Sequence, residues 1–136
     1  MKFRVLLIDD DEMLCETTKL GLEQIGGFEV GFATSGKSGI LMAKKGAPDI
    51  ILLDVCMPKM NGIEVLKTLK SQYPLSEIPV IMLSGLLDES TKAECDYHYG
   101  EDYVEKPADL ANLISRIETV LRRTGKLPAL NAAAVC

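Results

Sequence analysis

The sequence contains no apolar run approaching the ~18 residues that a membrane span requires. Its opening, MKFRVLLIDDDE, turns acidic after four apolar residues, so it does not read as a signal peptide. A cytoplasmic location is the expectation. The four cysteines, Cys15, Cys56, Cys95 and Cys136, are widely scattered. They form no CxxC pair and have no nearby histidine, which signals neither a zinc site nor a disulfide framework. The only histidine, His98, reads as an exposed side chain without a role. Basic residues are outnumbered: 15 Lys and Arg against 20 Asp and Glu give a formal net charge of −5. That balance argues against direct nucleic-acid binding, which needs clustered Lys and Arg. It argues equally against an acidic membrane surface and suits a protein that binds cations. There is no internal repeat, and the residues after the last periodic stretch are not expected to form a helix-turn-helix or a catalytic output segment, which suits either a stand-alone domain or one cut from a longer chain.

The 136 residues suffice for one domain with one core, and 47% of them are hydrophobic. Apolar runs alternate with helical patterns. Strands are expected at 3–8 (FRVLLI), 28–33, 49–54 (DIILLD), 78–84 (IPVIMLS) and around 102–104. Helices are expected over about 11–25, from Ser35 to Lys45, over 62–72, more weakly over 88–96, and over 108–123. In the first helix, Leu14, Thr18, Leu22 and Ile25 lie at helical spacing and predict its inner face. In the last, that face is Leu110, Leu113, Ile114, Ile117, Val120 and Leu121. Five βα units imply a single doubly wound α/β domain with a parallel sheet covered on both sides. Residues 124–136 contain Gly, Pro and small residues without a clear apolar face. They are expected to form a tail or the start of a linker, leaving a domain over 1–123.

Ligands of such folds bind outside the carboxyl ends of the strands. The first strand is followed by Asp9-Asp10-Asp11, the third ends in Asp54, the fourth in Ser84-Gly85, and the fifth leads into Lys106-Pro107. Taken singly, each has a plain reading. Asp9 to Asp11 suit an N-cap and solvated first turn. Asp54 can cap a loop, Ser84 can be an ordinary strand-end hydroxyl, Lys106-Pro107 a helix start, and Tyr103 a core residue. Together they make chemical sense. Clustered carboxylates repel unless a cation sits among them, and hard oxygen ligands suit Mg²⁺. An Asp beside that ion can accept a phosphoryl group, while a hydroxyl and an ammonium hold its oxygens.

The stretches LLIDDDE, IILLDVCMPKMNG, VIMLSG and DYVEKP resemble the receiver domain of two-component response regulators, the CheY-like superfamily. The resemblance covers about residues 3–123. It implies a flavodoxin-like (βα)5 fold with a five-stranded parallel sheet of order 2-1-3-4-5. By position, it implies Asp54 as phosphoacceptor, and Asp10 as direct and Asp9 as water-mediated Mg²⁺ ligand. Cys56 supplies a backbone carbonyl to the metal; Ser84 and Tyr103 are the switch pair, and Lys106 pairs the phosphate. Such a domain is no conventional enzyme; it catalyses its own Asp phosphorylation and dephosphorylation in a phosphorelay. The implied partners are a sensor histidine kinase or phosphotransfer protein. A downstream protein would read the surface of the fourth helix, fifth strand and fifth helix, and the family's habit allows a phosphorylation-linked dimer. Cys56 and Leu86 stand where side chains influence attacking water, and neither hydrogen-bonds strongly, so a long-lived phosphoryl state is expected. The segment Glu94 to Asp102, with Tyr97 and Tyr99, departs from the family's small-residue pattern.

A competing motif is GFATSGKS, Gly31 to Ser38, which fits the phosphate-binding loop of nucleotide hydrolases. Such a loop follows a full buried strand and opens a helix. Here Gly31 is expected inside the second strand, with Lys37 and Ser38 in a solvated first helical turn. A small NTPase would also leave Asp9, Asp10, Ser84 and Lys106 without a role. A haloacid-dehalogenase-like phosphatase would need a second Asp where Cys56 stands. The remaining alternative is a degenerate receiver serving as an interaction module.

Overall fold

The computed structural model of the chain describes residues 2–85, 102–106 and 109–128. The expected helix over 88–96, together with Leu86, Tyr97, His98, Tyr99, Cys95, Pro107 and Cys136, lies outside the described residues.

Five parallel strands form one sheet of order β2-β1-β3-β4-β5: β1 (Arg4–Ile8), β2 (Glu29–Ala33), β3 (Ile50–Asp54), β4 (Val80–Ser84) and β5 (Asp102–Glu105). The described helices are α1 (Glu12–Gln24), α2 (Gly36–Gly46), α3 (Gly62–Lys70) and α4 (Leu110–Arg123), with a 3-10 turn at Leu75–Glu77. The last, α4, is the fifth helix expected from the sequence. The central strands are apolar on both faces because both faces are covered. Leu6, Ile8, Ile51, Leu53, Val80 and Met82 point to the layer of α2 and α3. Val5, Leu7, Ile50, Leu52, Ile81 and Leu83 point to the opposite layer, with Leu22 of α1 and Leu113, Ile117 and Val120 of α4. Successive residues thus alternate between two cores, as the pleat requires.

Local chemistry sets the helix starts. Asp11, Ser35, Asn61 and Asp109 each accept a backbone N–H three residues on, which satisfies one orphan donor per helix. Gly31 lies inside β2, and Lys37 and Ser38 lie exposed in the first turn of α2. The GFATSGKS match is therefore an edge strand, a turn and a capped helix start.

One expectation needs correction. Ile25 is not on the inner face of α1: it follows the last helical residue as its C-cap and is 73% exposed. The chain turns at Gly27, with φ +72, and Phe28 fills the end of that core instead. At the far end, the backbone N–H groups of Lys126 and Leu127 return to the Leu121 carbonyl, and Leu127 packs against the α1–α4 layer.

Candidate phosphoacceptor site

Parallel register brings the site together. Ile8 of β1 lies level with Leu53 of β3, so the next residues, Asp9 and Asp54, leave the sheet side by side. Ser84 lies level with Glu105, and the N–H of Lys106 donates to the Ser84 carbonyl at 2.8 Å. The Lys106 ammonium therefore emerges over β1 and β3, 97 residues from Asp9. It donates to Asp9 Oδ2 and lies 3.2 Å from Asp54 Oδ1.

Asp9 is fully buried and held from three sides. Its own N–H donates to the Ala33 carbonyl, and its Oδ1 accepts from the Asp11 N–H at 3.0 Å. Its carbonyl accepts from the Cys15 thiol at 3.3 Å. Asp10 is exposed beside it. Carboxylate oxygens of Asp9, Asp10 and Asp54 all lie within 4.8 Å of one another. Asp54 and Ser84 are buried at their strand ends, 4% and 1% exposed.

Three acidic groups this close, two of them buried, are electrostatically frustrated. Burial, and then the charge of Asp9, push the Asp54 carboxyl from 3.8 up to about 6. The Lys106 ammonium and a backbone N–H from Cys56 pull the other way without cancelling the rise. Burial lowers the basicity of Lys106, but its hydrogen bond to Asp9 and the negative charges of Asp54 and Asp9 outweigh that, and its net shift is upward. Burial, with Asp9 and Asp11 adding to it, pushes the Cys15 thiol up to about 12. One ammonium facing three carboxylates leaves net negative charge, and the donor set is all hard oxygen. Both features fit a small divalent cation.

The loop after Asp54 crowds the start of α3. The Gly62 N–H donates to the Val55 carbonyl at 2.7 Å, and a Cβ on Gly62 would come 2.1 Å from the Asp54 carbonyl oxygen. Only glycine permits that approach. Lys59, in the same loop, adopts φ +67, a left-handed conformation unusual for a residue with a Cβ. Cys56 is exposed in this loop, and Tyr103 of β5 is partly buried against the α2–α3 layer.

The structure thus brings Asp9, Asp10, Asp54 and Lys106 into one site, with Ser84 at the neighbouring strand end and Tyr103 in β5. Two contributors escaped the sequence reading. The thiol of Cys15, six residues beyond Asp9, buttresses the Asp9 backbone, and a cysteine on a helix face gives no sign of that. Gly62 had one weak signal, a glycine directly after the N-cap Asn61.

The family model for the response regulator receiver domain matches residues 5–118. Among curated proteins, the DNA-binding dual master transcriptional regulator RpaA of Synechocystis is 34% identical over 125 residues, 92% of this chain and 52% of that protein. The transcriptional regulatory protein CseB of Streptomyces coelicolor is 39% identical over 121 residues, 89% of this chain and 50% of its own. The chain spans about half the length of the curated relatives it matches. Among solved structures, chemotaxis protein CheY4 of Vibrio cholerae superposes with a TM-score of 0.84 at 28% identity, covering 89% of this chain and all of that one. A CheY-like receiver domain from Methanospirillum hungatei superposes at 0.85 and 25% identity, covering 93% of this chain and 98% of that one. No helix among the described residues is long and apolar enough to cross a membrane.

Proposed function

The chain belongs to the response regulator receiver family, and from that premise we propose that Asp54 is its phosphoacceptor. The observation that carries the proposal is the meeting of Asp9, Asp10 and Asp54 within 4.8 Å, with Lys106 bridging Asp9 and Asp54. Asp10, Asp9 and Asp54, with the Cys56 carbonyl, would hold Mg²⁺. When bound, the ion supplies positive charge that offsets the carboxylates and the incoming phosphoryl oxygens.

The donor is a phosphohistidine on a sensor kinase or phosphotransfer protein. An Asp54 carboxylate oxygen forms a bond to phosphorus as the N–P bond breaks, and the imidazole keeps the electron pair and takes a proton. The chain contributes position and charge, the main requirements of phosphoryl transfer. The Cys56 N–H and the ends of β1 and β3 orient the carboxylate. Lys106 is near enough to exchange its contact with Asp54 for a phosphoryl oxygen, and the bond from its backbone N–H to the Ser84 carbonyl couples Ser84 to that exchange. Tyr103, in the register position beside Met82, would repack with Ser84 and change the face of β5 and α4 that a downstream protein reads. Attack by water on the phosphorylated Asp54 returns the carboxylate. The net charge of −5 supports protein rather than nucleic acid as this domain's direct partner, and the whole reading suits a cytoplasmic protein.

The test is intact mass after incubation with acetyl phosphate and Mg²⁺, and separately with ATP and Mg²⁺. One phosphoryl group added to the wild type from acetyl phosphate, and none to Asp54→Ala, is the expected result. No addition from acetyl phosphate, with ATP hydrolysis independent of Asp54, would restore the nucleotide-hydrolase reading. Silence with both donors and with a phosphohistidine donor would make the chain an interaction module.

A further inference from the structure

The phosphoacceptor chemistry makes no use of a groove of about 750 Å³ between α2 and the loop after β3. Its floor and walls include Ile40, Leu41 and Met60, and three lysines, Lys37, Lys44 and Lys59, surround it. At its base α2 already abuts α3 and the loop: a Cβ on Gly36 would lie 2.6 Å from Val65 Cγ2 and 3.2 Å from Met60 Sδ. Leu41 is 50% exposed, which leaves apolar surface open above that base.

The charge of this region is opposite to that of the molecule. Residues 34–48 and 55–63 hold four lysines and no acidic residue, while the rest of the chain holds 11 basic and 20 acidic residues. Among the described residues, Lys37, Lys44 and Lys59 make no ion pair. Lys37 and Lys44 stand seven positions apart, two turns or about 10 Å along one side of α2. Three lysines without an acidic partner beside an exposed apolar side chain make the groove complementary to a ligand that is both apolar and acidic.

We propose that this groove docks an acidic amphipathic segment of a partner protein. Apolar side chains of the segment would lie on Ile40, Leu41 and Met60, and Asp or Glu side chains flanking them would face the three lysines. Apolar anchors at helical spacing with flanking charges are the way a groove of this shape selects a helix. The surface is separate from the β5–α4 face and does not depend on phosphorylation of Asp54.

The probe is a synthetic amphipathic peptide of about 18 residues, long enough to hold a helix, with Leu on one face and Glu beside it. A counterpart carries Lys in place of each Glu. Binding is followed by amide chemical shifts of the labelled, unphosphorylated protein and by peptide fluorescence anisotropy. The Glu peptide is expected to shift Ile40, Leu41 and Met60, and the Lys peptide to leave them unmoved. Lys37→Glu with Lys44→Glu should weaken the Glu peptide at least about tenfold. Leu41→Ser, which leaves every charge in place, should also weaken it, separating the groove from general attraction to lysines. Unchanged affinity in both variants, with native circular dichroism, overturns the proposal. Shifts centred on another face overturn it as well. The same shifts produced by raising the protein concentration alone, or by a DNA duplex but not by the peptide, would give the groove to a second copy or to nucleic acid and refute it.

Discussion

Replacing Asp54 with Asn removes one negative charge from a buried site that holds too many. The substitution should stabilise the metal-free protein at neutral pH. Folding raises the Asp54 carboxyl from 3.8 to about 6, through burial first and Asp9 second. Below pH 3.8 the group is neutral in both folded and unfolded chains and costs nothing. As the pH rises, the unfolded chain ionises first while the folded site resists, so stability falls. Above about 6 the penalty is complete. At about 1.4 kcal/mol per tenfold difference in proton affinity, its upper bound is about 3 kcal/mol. Asn keeps the shape and is neutral at every pH, and Lys106 retains Asp9 as partner, so no cation is left unpaired. The amide oxygen can still accept from Lys106, but as a neutral acceptor, and the weaker bond takes back about 1 kcal/mol. A net gain of about 2 kcal/mol at pH 7.5 to 8 remains. The assay is urea unfolding followed by far-ultraviolet circular dichroism from pH 5 to 8 in EDTA. The difference between variant and wild type should be smallest at pH 5 and reach its plateau above pH 7. Mg²⁺ at a hundredfold excess over its dissociation constant should add about 2.7 kcal/mol to the wild type. It should add much less to the variant. A variant no more stable than wild type at pH 8, or a difference independent of pH, would refute the electrostatic account of the site.

Gly62→Ala should destabilise the protein by about 3 kcal/mol, since its Cβ meets the Asp54 and Val55 backbone rather than a movable side chain. It should also slow phosphorylation from acetyl phosphate; thermal unfolding and intact mass would read both effects. In a background with Cys95→Ser and Cys136→Ser, a thiol reagent at pH 8 should label exposed Cys56 promptly. Cys15, buried and with its thiol pushed up to about 12, should react only at the rate of unfolding. Loss of phosphate from Asp54 should be slow, and a Cys56→Asn, Leu86→Glu double variant should lose it several-fold faster in a mass time course. Equal rates would rule out a role for these two positions in admitting water.

The sheet was legible in the sequence because its signal is local. Unbroken apolar strands, separated by capped amphipathic helices, demand a parallel sheet covered on both faces, and Asp9, Asp54, Ser84 and Lys106 then fall at strand exits. The end of α1 was less legible. Ile25 and Phe28 are both apolar and both near the right spacing, and only the turn at Gly27 decides which of them enters the core. The false phosphate loop had the same origin, since a motif records residue order but not that Gly31 lies within an edge strand. Residue types and their order along the chain thus determined the architecture and the candidate groups by themselves. Tertiary structure alone decided that Lys106 reaches Asp9 across 97 residues, that Gly62 lies against the Asp54 carbonyl, and that a lysine-rimmed groove stands open beside α2. The first and last depend on elements remote in sequence, and the second on how the loop between β3 and α3 closes on itself. Charge interaction and steric exclusion depend on separation in space, which no local pattern of residues encodes.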